Sequence, residues 1–192
     1  YYGEEVLNKY YDEYAETWRE QGEIKTELYL KNCEIDGVPI RGQIDKVVIN
    51  DKHVHVVDFK TGQFKYGKSK VKPPLVLEDN SDELNFEKRY GGDYWRQILF
   101  YKALIESDNT QNLRVLSGEI DFIEPDGESH QKVKIMVNDD EYTFVRNQIK
   151  SVFAKIQNLE FEEGCEKDDC QWCTFNKHYN EQAHYAGDLL LH

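Results

Sequence analysis

Two short stretches place acids and a lysine at spacings that could do chemistry. They are Arg41-Gly42-Gln43-Ile44-Asp45-Lys46-Val47-Val48-Ile49 and Val54-His55-Val56-Val57-Asp58-Phe59-Lys60-Thr61-Gly62. In a β-strand, residues two apart share a face, so Asp58 and Lys60 point one way while Val57 and Phe59 point the other. Asp45 lies among β-branched residues, where a buried, unpartnered carboxylate is costly or is forced neutral. If the two strands pair through a turn at Asn50-Asp51-Lys52, Asp45 and Asp58 meet at one end of the pair. Two adjacent carboxylates repel, which raises one pKa unless a cation sits between them. A hard divalent ion such as Mg2+ (or Mn2+), bound through oxygen, removes the conflict. Lys60, one side chain beyond, would hold or polarise a water at the ion's edge. Such a set can hydrolyse a phosphodiester: the metal binds the scissile oxygen and activates water, and the ammonium stabilises the developing charge. An isolated D-x-K tripeptide is common and reads as a simple ion pair; two such strands in succession read as a site.

The elements that must position these residues follow from periodicity. Leu7, Tyr10 or Tyr11, Tyr14 and Trp18 form one apolar helical stripe, with Glu4, Glu5, Asp12, Glu13 and Glu16 toward solvent. That spacing predicts core packing for the stripe, rather than base stacking. Ile24 to Ile35 reads as a strand, Asp36-Gly37 as a hairpin turn, Val38 to Ile49 as the returning strand and His53 to Phe59 as a third. His53 and His55 fall opposite the carboxylates and read as packing or surface residues. Thr61 to Gly92 lacks a sustained period and reads as a long excursion; Gly91-Gly92 has no strand–loop–helix context for a phosphate loop. Asp93 to Ser107 is apolar almost all round, a helix buried on more than one side. Strands at Leu113 to Ile123 and Gln131 to Val137 follow, joined by Glu124-Pro125-Asp126-Gly127. The last helix opens with a capping signal at Asn138-Asp139-Asp140-Glu141. The order α-β-β-β-α-β-β-α predicts an α/β (α+β mixed) fold with a central mixed sheet flanked by helices.

The chain has 192 residues and a formal net charge of −13. Its 39% apolar and 13% aromatic content is that of a globular protein, not of a disordered one. No apolar run approaches the ~18 residues of a spanning helix, and Tyr1-Tyr2-Gly3-Glu4-Glu5 does not resemble a secretory signal. The absence of an initiator Met is read as a piece of a longer protein, and His192 as a tag remnant. Taken alone, −13 argues against a nucleic-acid partner. Against it stands a run without acids, Lys60, Lys65, Lys68, Lys70 and Lys72. Beyond Lys60 this run reads equally as a strip for a DNA backbone and as a solvated loop.

Taken together, Gly42-Gln43-Ile44-Asp45-Lys46, Val57-Asp58-Phe59-Lys60-Thr61-Gly62 and Gln97-Ile98-Leu99-Phe100-Tyr101 resemble the PD-(D/E)XK nuclease superfamily. The narrower resemblance is to RecB-type nuclease domains, found at the C-terminus of UvrD/Rep-like helicases, and it spans roughly residues 23 to 175. It implies a restriction-endonuclease-like core at 1–160 and a Cys-containing tail at 161–192 packed on the same domain. It also implies that Asp45, Asp58 and Lys60 form the catalytic centre, with Glu27 from the preceding strand. The metal would be held by Asp45, Asp58 and the Phe59 carbonyl. Gln97 and Tyr101, four apart and so on one helix face, match the Gln-x-x-x-Tyr motif of the RecB branch and would shape the site; Lys65 and Lys68 would meet substrate. The implied activity is Mg2+- or Mn2+-dependent hydrolysis of DNA, of exonuclease type, on single-stranded or tailed duplex substrates. The implied setting is a helicase–nuclease in DNA repair or recombination, cytoplasmic and nucleoid-associated, with no membrane partner. The alternative is a catalytically inactive DNA-binding or docking module on the same fold.

Two features depart from that pattern. RecB-type nucleases commonly carry a metal-contacting His in the helix before the first strand, and no His precedes His53. Some relatives pin the tail with a four-Cys iron–sulfur cluster of tail pattern C-x2-C-x5-C, whereas Cys165, Cys170 and Cys173 are spaced C-x4-C-x2-C and Cys33 falls in a predicted strand. The tail therefore reads as a degenerate relic with ordinary reduced thiols. An iron–sulfur cluster, or Zn2+ recruiting His178 or His184, is the less favoured reading.

Overall fold

A computed structural model describes residues 2–75, 86–107, 112–160, 164 and 169–178. They fall into two compact units, Tyr1–Lys150 and Ser151–His192; the site lies in the first. Helix α1 (Tyr2–Arg19) leads into strands β1 (Glu23–Ile35), β2 (Val38–Asn50) and β3 (His53–Gln63). Two short helices follow, α2 (Phe64–Gly67) and α3 (Phe86–Tyr90), then α4 (Asp93–Glu106), β4 (Arg114–Asp126), β5 (Ser129–Met136) and α5 (Asp139–Gln157). The five strands form one sheet in the order β1-β2-β3-β4-β5. Every neighbouring pair is antiparallel except β3–β4. That parallel pair needs a crossover, and α4 lies within it. The mixed sheet with flanking helices is the architecture expected from the element order.

Local chemistry explains the turns. Asp36 and Gly37 both have positive φ, 50° and 81°, the conformation a two-residue hairpin of matching twist requires. The excursion after Thr61 is more ordered than its sequence suggests: β3 continues to Gln63, and α2 and α3 are helical. Residues 76–85 of that excursion lie outside the described residues. Helix α4 is apolar all round because it is buried almost all round. Trp95, Ile98, Leu99 and Leu104 are within 1% of full burial, and close approach is secured by small residues on the sheet. A Cβ on Gly42 would fall 2.6 Å from Leu104 Cδ1, and one on Gly118 would fall 2.4 Å from Ile98 Cγ2.

Helix α1 corrects an expectation. Of its stripe only Tyr10 is buried, while Leu7 and Tyr11 are 55% and 54% exposed. The helix does not dock through a greasy seam. Its Tyr10 hydroxyl donates to the buried Asp121 carboxylate of β4. The Lys132 ammonium lies 3.5 Å from the Tyr14 ring centroid, and Lys46 lies 5.3 Å from the Trp18 ring. Aromatic residues with polar tips can hold a helix on a polar sheet face in this way. No helix among the described residues is long and apolar enough to cross a membrane.

Candidate active site

The β2–β3 ladder ends at the pair Lys46↔Val57. One step further, Asp45 and Asp58 stand opposite each other where the strands part. There the Phe59 N–H donates to Asp45 Oδ2 at 2.9 Å, so a side chain takes the place of the next ladder bond. Burial is the largest cause holding the Asp45 carboxyl above its ordinary range; the Phe59 N–H opposes it, while Asp58 and Glu27 add like charge. Glu27 lies in β1 between the paired residues Thr26 and Leu28, opposite Asp45, with a left-handed φ of 50°. Its carboxylate is exposed and accepts a hydrogen bond from the Gln43 amide. The three acids thus form a row across β1, β2 and β3.

Helix α4 closes the site from the face of the sheet on which it packs. Asp58 is 2% exposed; the Tyr101 hydroxyl donates to its Oδ1 at 2.7 Å. Tyr101 in turn accepts from Gln97 Nε2 at 2.8 Å, and Gln97 Oε1 accepts from Lys60 Nζ at 2.9 Å. Lys60 Nζ returns to Asp58 Oδ2, 2.5 Å away. That last contact is an ion pair, and it buries Asp58 Oδ2 against the Lys60 ammonium. The result is a circuit, Asp58–Tyr101–Gln97–Lys60, closed by the Lys60–Asp58 ion pair. Burial, then the bond to Asp58, push the Tyr101 hydroxyl above its ordinary pKa, so it serves as a proton donor throughout the neutral range.

The donor set suits a hard divalent cation. It offers two carboxylates in facing positions, one with a buried oxygen held against the Lys60 ammonium, and the backbone carbonyl of Phe59 lies between Asp58 and Lys60. No group of three or more His, Cys, Asp or Glu among the described residues is arranged to hold a metal. Further ligands at Asp45 and Asp58 would therefore be backbone carbonyls, water or substrate oxygens.

The structure brings Asp45, Asp58, Lys60, Gln97 and Tyr101 together, with Glu27 at the rim. Lys65 and Lys68 are exposed residues of the α2 region, and Lys65 lies 4.9 Å from the ring of its exposed neighbour Tyr66. Sequence reasoning missed Tyr94, whose ring centroid is 4.4 Å from Lys60 Nζ. Its position one turn before Gln97 on the same helix was the available signal. It also missed a second buried polar cluster under α1, centred on Asp121 and Lys132, because neither residue stands in a recognisable pattern. Cys33 is buried in β1 of the first unit, its thiol 3.7 Å from the Leu104 carbonyl. Cys170 and Cys173 lie in the second unit at a helical stretch over 171–178, and Cys165 lies outside the described residues.

Comparison with known proteins gives the family and the fold. The family model described as the PD-(D/E)XK nuclease superfamily matches residues 2–177. No curated protein sequence matches the chain. Among solved structures, a Eubacterium rectale protein named as a candidate exonuclease superposes with a TM-score of 0.51 at 17% identity. The match covers 90% of this chain and 59% of that one, so this chain spans about three-fifths of that protein's length. SSO0001 is similar at a TM-score of 0.42 and 19% identity, over 80% of this chain and 58% of its own.

Proposed function

The chain belongs to the PD-(D/E)XK nuclease superfamily, and from that premise we propose that it is a metal-dependent DNA nuclease domain of RecB type. The observation that carries this reading is the circuit Asp58–Tyr101–Gln97–Lys60 facing Asp45. In it both residues of the Gln-x-x-x-Tyr motif hold Asp58 and Lys60, which supports the reading that Gln97 and Tyr101 shape the site. Exonuclease action on single-stranded or tailed DNA, attachment to a helicase in repair or recombination, and a nucleoid setting belong to the same proposal.

Asp45 and Asp58 would hold Mg2+ or Mn2+, with the Phe59 carbonyl. When bound, the ion supplies Lewis-acid polarisation of the phosphate and a more acidic water. The protein's own residues do the rest. Tyr101 keeps the Asp58 carboxylate from rotating by donating to one oxygen, while the other is held by the Lys60 ammonium. Gln97 fixes the Lys60 ammonium from the helix side. Lys60, with its side chain 19% exposed, is positioned to orient the attacking water and to neutralise charge developing on the phosphate oxygens. Burial of Asp58 strengthens each of these interactions relative to water.

The deciding experiment is cleavage of single-stranded and tailed DNA in Mg2+, Mn2+ and EDTA. Ion-dependent cleavage that is lost in both Asp58→Ala and Lys60→Ala is expected. Undiminished cleavage by both variants would exclude this site as the catalytic one. The second reading, a nuclease-fold DNA-binding or docking module without activity, is favoured by the lack of a third acidic, His or Cys ligand grouped with Asp45 and Asp58 among the described residues. Failure to bind Mg2+ or Mn2+ would select it.

A further inference from the structure

Five lysines follow one another from Lys60 to Lys72, and the fold treats them unequally. The backbone carbonyl of Lys70 accepts from the N–H groups of both Tyr94 and Trp95, each at 3.0 Å, and the Lys72 carbonyl accepts from the Gly92 N–H at 2.9 Å. The lysine segment is thereby fastened across the first turn of α4, satisfying amides that a helix start leaves without partners. Gly92 makes this approach possible: a Cβ there would fall 2.2 Å from the Lys70 oxygen. The side chain of Lys70 then returns over the Tyr94 ring, its ammonium 5.3 Å from the centroid, while Lys60 approaches the same ring to 4.4 Å. Lys65 and Lys68 have no comparable tie to the site.

Two ammonium groups drawn to one aromatic ring repel each other. The attraction of each to the Tyr94 ring offsets part of that repulsion. From this geometry we infer that Tyr94 is a positioning residue that seats Lys60 and Lys70 as a pair, and that the Lys70 ammonium receives the phosphate adjoining the scissile one. The inference rests on the nuclease reading for the role of Lys60, but the pairing of the lysines against a nucleic-acid backbone can be read without cleavage.

The test uses the full chain with Tyr94→Phe, Tyr94→Leu and Lys70→Ala, and a fluorescein-labelled single-stranded oligonucleotide. Binding is measured in EDTA across a salt series, and kcat and KM are measured separately in Mg2+. Lys70→Ala is expected to weaken binding severalfold and to flatten the slope of log affinity against log salt by about 0.7, the share of one phosphate contact on a single strand. Tyr94→Leu should reproduce that flattening and in addition lower kcat about tenfold, since Lys60 loses its seat. Tyr94→Phe, which keeps the ring and loses the hydroxyl, should restore both. An unchanged salt slope in Lys70→Ala, or a Phe variant as impaired as the Leu variant, would overturn the inference. If the wild-type chain binds the strand with the predicted slopes and does not cleave it, the nuclease reading fails while the lysine pair stands. If Tyr94→Leu does not fold, Lys70→Ala alone still decides the phosphate contact.

Discussion

The two faces of the sheet carry nearly the same three groups and use them differently. On the α4 face, Asp58 is 2% exposed, accepts from the Tyr101 hydroxyl and has Lys60 Nζ at 2.5 Å. On the α1 face, one strand over, Asp121 is 1% exposed, accepts from the Tyr10 hydroxyl and has Lys132 Nζ at 2.7 Å. Each aspartate even keeps one buried oxygen without a hydrogen bond, Oδ2 of Asp58 and Oδ1 of Asp121. What differs is the surrounding charge. Around Asp58 the next groups are acids, Asp45 and Glu27. Around Asp121 the acid Glu119 is balanced by Lys46 as well as Lys132, and burial drives Glu119 up and Lys46 down, both toward neutrality. The α1 cluster is self-compensated, whereas on the α4 face Asp45, Asp58 and Glu27 outnumber Lys60. An Asp–Lys–Tyr trio therefore does not make a site by itself. In the proposed reading, the uncompensated second carboxylate is what makes one.

The comparison can be broken most directly at Asp121. Replacing it with Ala leaves Lys132 and Tyr10 without their acceptor, and should lower unfolding free energy by about 3 kcal/mol in a denaturant titration. The estimate is at the low end because Lys132 is 24% exposed. Cleavage by the folded fraction should be unchanged. Asp58→Asn should do the reverse, lowering kcat at least ~10²-fold with a smaller loss of stability, because it relieves repulsion on Asp45. Equal stability losses at the two aspartates would erase the distinction.

Metal addition separates the faces next. Mg2+ or Mn2+ at about 100 times its Kd should stabilise the wild type by about 2.7 kcal/mol, read as a raised Tm. Asp45→Asn and Asp58→Asn should abolish that increment, and Asp121→Ala should retain it.

A smaller effect concerns the tyrosines. Burial, and then the bond to Asp121, hold the Tyr10 hydroxyl far above its ordinary pKa of 10.0. The folded state keeps a proton that the unfolded chain releases, so stability falls as pH rises above about 10, by about 1.4 kcal/mol per pH unit for this group. Tyr10→Phe should lessen the alkaline loss without altering cleavage, whereas Tyr101→Phe should reduce cleavage by freeing the Asp58 carboxylate. Thermal melts between pH 9 and pH 11, paired with the nuclease assay, check both.

Much of the α4 face was legible in the sequence because its residues are tied to local patterns. Asp58 and Lys60 are two apart on a strand, Gln97 and Tyr101 four apart on a helix, and Asp36-Gly37 fixes the hairpin that brings β1 beside β2. The docking of α1 was not legible, because its partners lie more than a hundred residues away, Tyr10 to Asp121 and Glu13 to His130, although Asp121 and Lys132 are themselves cross-strand neighbours. Nothing in Asp121 or Lys132 alone signals a partner. The aromatic stripe of α1 misled for a related reason: Tyr and Trp count as apolar in a periodicity argument, whereas their polar tips and ring faces are what dock this helix. Tyr94 was missed because an aromatic residue on an apolar helix reads as core.

The hydrogen bond from Phe59 N–H to Asp45 also has a spectroscopic meaning. That amide is the only rung between β2 and β3, among the described residues, whose acceptor is a titrating carboxylate. Its proton chemical shift and exchange rate should follow the charge on Asp45, moving when the carboxylate takes up a proton or shares its electrons with a cation. A single backbone resonance would then report occupancy of the active site from inside the sheet, with no label and no substrate.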